Sequence, residues 1–182
     1  MTELRAAELG LAARVAAILV ALTAATAVGV RVAAPETARE LLGFDFGGVP
    51  RRPDQVVGIF ANNLRVLGAL LAACAAAQLA RHAVTARWEQ TLLRAVTSVC
   101  DVAVIAGCAL HLLLIGSALG AYGRRTLELV LAHGPFELVA FSLALALYVD
   151  ARRMRLPVER VLDVALLAPV ALAFGAVLEV YA

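Results

Sequence analysis

The sequence has few charged residues and no lysine. Charged side chains make up 16% of the 182 residues, and all 16 basic residues are arginine, so the formal net charge is only +2. No basic block with interleaved aromatic residues is present. Proteins that bind nucleic acid concentrate positive charge on one surface, so this composition argues against nucleic acid as a partner.

Cysteine is also scarce, and its spacing excludes two classes of small protein. The sequence has no CxxC pair among its three cysteines, Cys74, Cys100 and Cys108. This spacing argues against a disulfide framework or a structural zinc site. Buried thiols that behave as small apolar residues are the expected alternative. Neither a serine–histidine pair nor an aspartate pair suited to intramembrane proteolysis is visible. We therefore predict no catalytic residue, no bound metal and no cofactor.

Apolar residues, in contrast, are abundant and fall into long runs. They form 63% of the chain, whose mean hydropathy is +0.88, whereas a soluble domain is about half apolar. A helix needs roughly 20 apolar residues to cross the hydrocarbon core of a bilayer. The sequence therefore predicts an all-α integral membrane protein, a single transmembrane domain over 1–182 with helices at about 10–33, 56–80, 98–119, 126–150 and 161–181.

The distribution of arginine predicts the orientation of these helices. With the N-terminus in the cytoplasm, nine arginines face the cytoplasm and six face the other side, as the positive-inside rule requires. Residues 151–160, ARRMRLPVER, form the strongest cytoplasmic marker. We predict a cytoplasmic N-terminus and an extracytoplasmic C-terminus. The nine arginines are Arg5, Arg14, Arg81, Arg87, Arg94, Arg152, Arg153, Arg155 and Arg160.

The stretch HGPFE at 133–137 interrupts the fourth apolar run. Gly134 permits unusual backbone angles, and Pro135 favours the first position of a helix. Glu137 would then lie near the third helical position, where its carboxylate faces the positive end of the helix dipole. The pattern predicts a fourth helix broken at His133-Gly134-Pro135, with an interfacial or re-entrant piece at 126–132.

Six polar side chains are predicted to lie at one depth, in the extracytoplasmic half of the membrane. Since charge in hydrocarbon is costly, these groups must find partners inside the helix bundle. Glu137 is the natural partner of Arg65, because it is the acidic residue predicted at that depth. The six are Asn62, Asn63, Arg65, His111, His133 and Glu137.

Three interpretations of this cluster remain open. In the first, a pair between Arg65 and Glu137 holds the bundle together. In the second, the cluster is an ion or solute site at a broken helix, as in transporters. In the third, His133 and Glu137, which are four residues apart, bind a metal together with His111. We adopt the first interpretation as our prediction.

Small residues repeat every four positions on the second predicted helix. Gly68, Ala72 and Ala76 form one such series, and such faces let helices approach closely in lipid. In an alanine-rich chain these spacings also arise by chance. No particular dimer is therefore predicted from them.

Two short motifs resemble those of the stage II sporulation protein M family of bacterial membrane proteins. The segment IFANNLRVLGALLA at 59–72 matches a phenylalanine-x-Asn-Asn-x-Arg stretch, and LAHGPFELVAFSLALAL at 131–147 matches a later His-Gly-x-Phe-Glu stretch. Their order and their separation of roughly seventy residues are also similar. The matching residues are Phe60, Asn62, Asn63, Arg65, His133, Gly134, Phe136 and Glu137.

The resemblance implies a non-enzymatic protein of the bacterial plasma membrane. Members of this family in spore-forming bacteria act as membrane anchors or organisers for cell-wall hydrolases. We therefore expect the lipid bilayer and membrane or cell-wall-remodelling proteins as partners, and a homo-oligomer is left open. The motif residues are expected to be structural or to face partners. The alternative function is a small channel or transporter built around the polar cluster.

Overall fold

The computed structural model describes residues 6–44, 46, 50–82 and 87–182. Five of the helices in this part of the chain are long and apolar enough to cross a membrane, and only the short α2 is not. This confirms the predicted all-α, multi-pass architecture. Arg5 and the side chain of Arg87, which entered the arginine comparison, lie outside the described residues. The helices are α1 (Ala6–Ala33), α2 (Pro35–Leu42), α3 (Pro53–His82), α4 (Arg87–Tyr122), α5 (Arg124–Arg153) and α6 (Val158–Tyr181).

The buried core lies where α3, α5 and α6 meet. Leu67, Leu147 and Leu172, one from each helix, have no exposed surface. On α3 the buried residues recur at spacings of three and four, at Leu67, Leu70, Cys74 and Ala77, which is the spacing of one helix face. This buried face of α3 determines which of its polar residues enter the bundle.

Helices α1 and α4 form a second close contact through glycines that sequence inspection did not select. A Cβ added to Gly116 would lie 2.6 Å from the Thr26 Cβ, and one added to Gly120 would lie 2.5 Å from the Ala27 carbonyl oxygen. Two glycines four residues apart on one helix allow the backbone of another helix to approach closely within lipid. The predicted series on α3 is less involved, since Gly68 has no atom within 4 Å of an added Cβ.

The predicted break in the fourth spanning helix is wrong. Helix α5 runs without interruption through His133, Gly134 and Pro135, and 126–132 is part of it. Positive φ angles among the described glycines occur only at Gly43 and Gly123, so Gly134 keeps helical geometry. Proline removes one backbone donor, and spanning helices tolerate this loss because neighbouring groups or small local adjustments of the backbone satisfy the freed carbonyl. Pro135 is exposed on the surface of the bundle, and α5 continues through it.

The C-terminal end of α5 is capped by side chains from α3. The Gln78 amide donates hydrogen bonds to the carbonyl oxygens of Ala151 at 3.1 Å and Met154 at 2.9 Å. The Arg81 guanidinium donates to the carbonyls of Ala151 and Arg152. The last carbonyls of a helix lack partners within it, and a cation there also interacts favourably with the helix dipole. These contacts fix α3 against α5 at the end where α6 begins.

At the opposite end, α2 packs on the junction between α4 and α5. The Arg39 guanidinium donates to the carbonyl oxygen of Ala121 at 2.9 Å, and the Tyr122 hydroxyl donates to the carbonyl oxygen of Arg39 at 3.2 Å. Gly123 alone joins α4 to α5, with a φ of +61° that favours glycine.

A polar cluster between α3, α5 and α6

Three ionisable side chains come together between α5 and α6. His133 and Glu137 are four residues apart and therefore share one face of α5. The antiparallel α6 brings Glu179, near its own C-terminal end, to the same level. One ligand atom from each residue lies within 4.8 Å of the other two, and all three residues are half-buried. We call these residues the α5–α6 triad.

Asn63 connects the triad to α3. Its side-chain amide donates a hydrogen bond to Glu137 Oε1 at 2.5 Å. Asn63 lies four residues before Leu67, so it extends the buried face of α3 towards α5. Of the six side chains in the predicted cluster, the structure brings together Asn63, His133 and Glu137.

Close packing of α5 on α6 surrounds the triad. A Cβ added to Gly175 would lie 3.5 Å from Glu137 Cγ and 3.6 Å from the His133 carbonyl oxygen. Beside it, the rings of Phe136 and Phe174 stack with centroids 6.2 Å apart and an angle of 28° between them. Phe136, a residue of the sequence motif, thus joins the two helices, and Glu137 lies on the face that meets α6.

Gly134 has a local role within α5. A Cβ at this position would lie 2.9 Å from Val130 Cγ1, so a larger residue would press against the preceding turn. Gly134 therefore provides space one residue after His133, without the unusual backbone angle that the sequence suggested.

One nitrogen of the triad has no partner in the described structure. His133 Nδ1 is buried and makes no hydrogen bond. No ion pair or hydrogen bond joins His133 to Glu137 or Glu179 among the described residues, although their ligand atoms are within 4.8 Å. Buried polar atoms in proteins almost always have a partner. A histidine nitrogen and two carboxylates at this separation have the donor types and arrangement that could hold a metal ion.

The predicted ion pair between Arg65 and Glu137 is not formed. Arg65 is exposed, and it makes no ion pair or hydrogen bond with any described residue. The reason is the helical repeat: Arg65 follows Asn63 by two positions, which rotates it by about 200° around the axis of α3. The sequence had placed Arg65 and Asn63 at the same depth in the membrane, but the two side chains point to nearly opposite sides of α3.

Asn62 and His111 also lie away from the triad. Asn62 is exposed on α3, one position before the residue that contacts Glu137. His111 is exposed on α4, where a ring nitrogen lies 3.2 Å from the Gly107 carbonyl oxygen of its own helix. The interpretation that placed His111 with His133 and Glu137 as metal ligands is therefore wrong in its third member.

Glu179 was missed from the sequence. It lies three residues from the end of the given sequence, at the end of the last predicted span. The signal that could have found it is the antiparallel relation of two consecutive spanning helices. That relation places the end of the fifth span beside the start of the fourth, where HGPFE lies.

A second set of charged contacts fixes the opposite end of the bundle. Asp101 on α4 accepts hydrogen bonds from the Tyr148 hydroxyl at 2.5 Å and from Arg152 at 2.8 Å, both on α5. Arg160 and Asp150 form a further ion pair at 2.5 Å, with side chains only 8% and 16% exposed.

Comparison with protein-family models, with curated proteins and with solved structures gives no match to this chain.

Proposed function

We propose that this protein is a non-enzymatic organiser of the bacterial plasma membrane, which holds a partner membrane protein against the exposed side of α3. The observation that carries the proposal is the position of Arg65. A charged side chain lies on the outer surface of the bundle, in a spanning helix, without a partner among the described residues. Such a residue marks a surface that another molecule completes.

The depth of Arg65 makes exposure to lipid costly. The spanning part of α3 is Pro53–Arg81, which places Arg65 about 18 Å from one end and about 24 Å from the other at about 1.5 Å per residue. The hydrocarbon core is about 30 Å thick, so this position is near its centre. A central arginine costs about 2.5–3.5 kcal/mol on insertion scales. An acceptor on a partner helix removes that cost.

The surroundings of Arg65 suit a closely packed helix. Asn62, Gly68, Ala69 and Ala72 lie at spacings of three and four from it or from one another, and all are exposed. We call these five residues the Arg65 face. Small residues let helix backbones approach, and an asparagine at the same level can donate and accept hydrogen bonds across the contact.

The partner is expected to be a different protein rather than a second copy. The carboxylate of this chain nearest that depth, Glu137, is half-buried and already accepts from Asn63. Among the described residues, Arg65 of one copy would thus find no exposed carboxylate at its own depth on another copy. The partner should supply a carboxylate, or free backbone carbonyls, in the middle of a spanning helix.

The motif resemblance to the stage II sporulation protein M family supports the same proposal. It implies an anchor for cell-envelope partners, in particular proteins that remodel the cell wall. The alternative of a channel or transporter depended on a broken helix at HGPFE, and α5 is continuous. That argument for transport no longer applies. Under the proposed orientation the N-terminus is cytoplasmic and the C-terminus extracytoplasmic.

Site-specific photocrosslinking in native membranes tests the organiser. A photoreactive residue at Ala69 or Ala72 should crosslink a partner protein that has an acidic residue within a membrane span. Arg65→Ala should reduce this crosslink at least tenfold, because the partner's acidic group loses its counter-charge. Arg94→Ala is the matched control, since Arg94 is exposed near the beginning of α4 and should leave the crosslink unchanged.

Charge exchange then distinguishes pairing from a loss of folding. Arg65→Asp should abolish capture, and the opposite change of the partner's acidic residue to arginine should restore it. Unchanged crosslinking by Arg65→Ala, or crosslinks only between copies of this chain, would contradict the proposed organiser.

A further inference from the structure

We propose that the α5–α6 triad binds a divalent transition-metal ion of the zinc type. His133 supplies a ring nitrogen, and Glu137 and Glu179 supply one carboxylate oxygen each, with the three ligand atoms within 4.8 Å of one another. Three protein ligands leave a fourth tetrahedral position open, which is a common zinc arrangement. The sequence had predicted no metal here, and the metal interpretation that it left open named His111 in place of Glu179.

The separation of the ligand atoms supports an ion between them. A zinc ion is bound at about 2.0–2.2 Å by nitrogen and oxygen ligands, so two ligands in a tetrahedral site lie about 3.3–3.6 Å apart. The triad is close to that spacing, since its ligand atoms lie within 4.8 Å of one another, and among the described residues no hydrogen bond or ion pair links His133 to either carboxylate. The buried, unpartnered Nδ1 of His133 is a second and independent sign that the imidazole lacks a ligand.

Charge gives a further reason. A cation site needs acceptors in excess of fixed positive charge, and the predicted Arg65–Glu137 pair would have cancelled that excess. Arg65 instead lies on the far side of α3, and the triad has two carboxylates. Two negative charges at this distance in a half-buried site are unfavourable. A divalent cation makes the set electrically neutral, with the imidazole in its neutral, metal-binding form.

The type of ligand selects the type of metal. Calcium and magnesium prefer oxygen ligands alone, and magnesium keeps several waters. One imidazole with two carboxylates instead suits zinc, with manganese or ferrous iron as weaker competitors. We therefore expect zinc to bind and calcium and magnesium not to compete with it.

Two neighbours of the triad are suited to orienting its ligands. The Asn63 amide donates to Glu137 Oε1 at 2.5 Å, which holds that carboxylate in place while leaving its other oxygen available. Hydrogen bonds of this kind to a ligating carboxylate tune metal affinity. Gly175, whose added Cβ would lie 3.5 Å from Glu137 Cγ, lets α6 approach closely enough for Glu179 to complete the set.

Zinc titration of the purified protein tests the site. The full chain, purified without a polyhistidine tag and stripped with a chelator, should bind one zinc ion per chain by calorimetry and elemental analysis. His133→Ala and Glu179→Gln should each weaken binding at least tenfold, and the second variant keeps the side-chain shape. His111→Ala is the matched control, because this exposed histidine lies on α4 and should leave zinc affinity unchanged.

Cobalt substitution adds a spectroscopic measurement, which distinguishes loss of the metal site from loss of folding. The wild-type protein loaded with Co²⁺ should show the visible absorption of a tetrahedral site, and excess Zn²⁺ but not Mg²⁺ or Ca²⁺ should remove it. Lack of zinc binding by the wild type would overturn the proposal. So would full-strength binding by folded His133→Ala and Glu179→Gln, or equal loss in His111→Ala. Arg65→Ala should bind zinc normally, so this outcome is separate from that of the organiser.

Discussion

Asn63 on α3 donates a hydrogen bond to Glu137 on α5 across 2.5 Å. The carboxylate therefore has a neutral amide as its partner, whereas an arginine at the same depth faces away from it. An amide donor stabilises a carboxylate without cancelling its charge, so Glu137 retains its capacity to bind a cation. The same contact joins α3 to the pair formed by α5 and α6.

Loss of this hydrogen bond should destabilise the bundle measurably. Hydrogen bonds between membrane helices contribute about 0.6 kcal/mol on average and at most about 1.7, and a charged acceptor favours the upper part of that range. We expect Asn63→Ala to lower the free energy of unfolding in mixed SDS micelles by about 1–1.7 kcal/mol. Asn62→Ala, at the adjacent exposed position, should have a much smaller effect.

The double variant identifies the acceptor. Asn63→Ala should cost less in a Glu137→Gln background than in the wild type, since the charged acceptor is already gone. Equal losses from Asn63→Ala and Asn62→Ala, or strictly additive losses in the cycle, would show that the contact does not stabilise the protein.

The contact between α1 and α4 should tolerate no side chain at Gly120. An added Cβ would lie 2.5 Å from the backbone oxygen of Ala27, and a backbone atom cannot rotate away as a flexible side chain can. Overpacking of this kind costs about 1–3 kcal/mol. We expect Gly120→Ala to lower the thermal stability of the purified protein.

Gly107→Ala is the matched control for this change. Gly107 lies on the same helix with nothing within 4 Å of an added Cβ, and alanine there also favours the helix. The same substitution should therefore be neutral or stabilising at Gly107. If both variants melted at the wild-type temperature, α1 and α4 would not be as closely packed as described.

The sequence predicted the number of spanning helices correctly, but not the direction in which each polar side chain points. Apolar runs define a span by length alone, and the two motifs correctly placed Asn63 near Glu137. The buried side of α3 could not be identified, because alanine occupies both sides of it: Ala73 is buried, whereas Ala69 is exposed. Without that contrast, Asn62 and Arg65 were assigned to the wrong face.

The errors at HGPFE and Glu179 have separate physical causes. Proline and glycine usually end helices in water, but within a membrane the helix keeps its remaining hydrogen bonds because no solvent replaces them. Glu179 was overlooked because a carboxylate at the end of a span needs no partner when it reaches water. Only the packing of α6 on α5, at Gly175, shows that it faces His133 instead.

Topology reporters test the proposed orientation. Reporters fused after residue 45 and at the C-terminus should be extracytoplasmic, and those after 87 and 155 should be cytoplasmic, because five spans alternate and the arginine-rich segment at 151–160 remains inside. The measurement compares alkaline phosphatase with fluorescent protein activity. A cytoplasmic C-terminus would place the triad in the other half of the membrane.

The stabilisation by Asp101 should divide into a contribution from its hydrogen bond with the Tyr148 hydroxyl and a contribution from its ion pair with Arg152. Asp101 accepts from Tyr148, which is 6% exposed, and from Arg152, whose side chain is 39% exposed. Tyr148→Phe removes the first contact alone, while Asp101→Ala removes both. A hydrogen bond to a charged group contributes about 1.5–3 kcal/mol, and an exposed ion pair less than about 1. We expect Asp101→Ala to destabilise the protein more than Tyr148→Phe does. Most of the loss caused by Asp101→Ala should come from the contact with Tyr148, which both variants lack.

Ionic strength provides the check on this division. Salt screens exposed ion pairs much more than buried hydrogen bonds, so the difference in unfolding free energy between Asp101→Ala and Tyr148→Phe should shrink when unfolding is measured in high salt. The loss caused by Tyr148→Phe should stay constant, because the hydroxyl is buried. Glu159→Ala, at an exposed position on α6, controls for removal of a negative charge. If high salt reduced the effect of Tyr148→Phe as much as that of Asp101→Ala, the hydroxyl contact would not be the buried element that anchors α4 to α5.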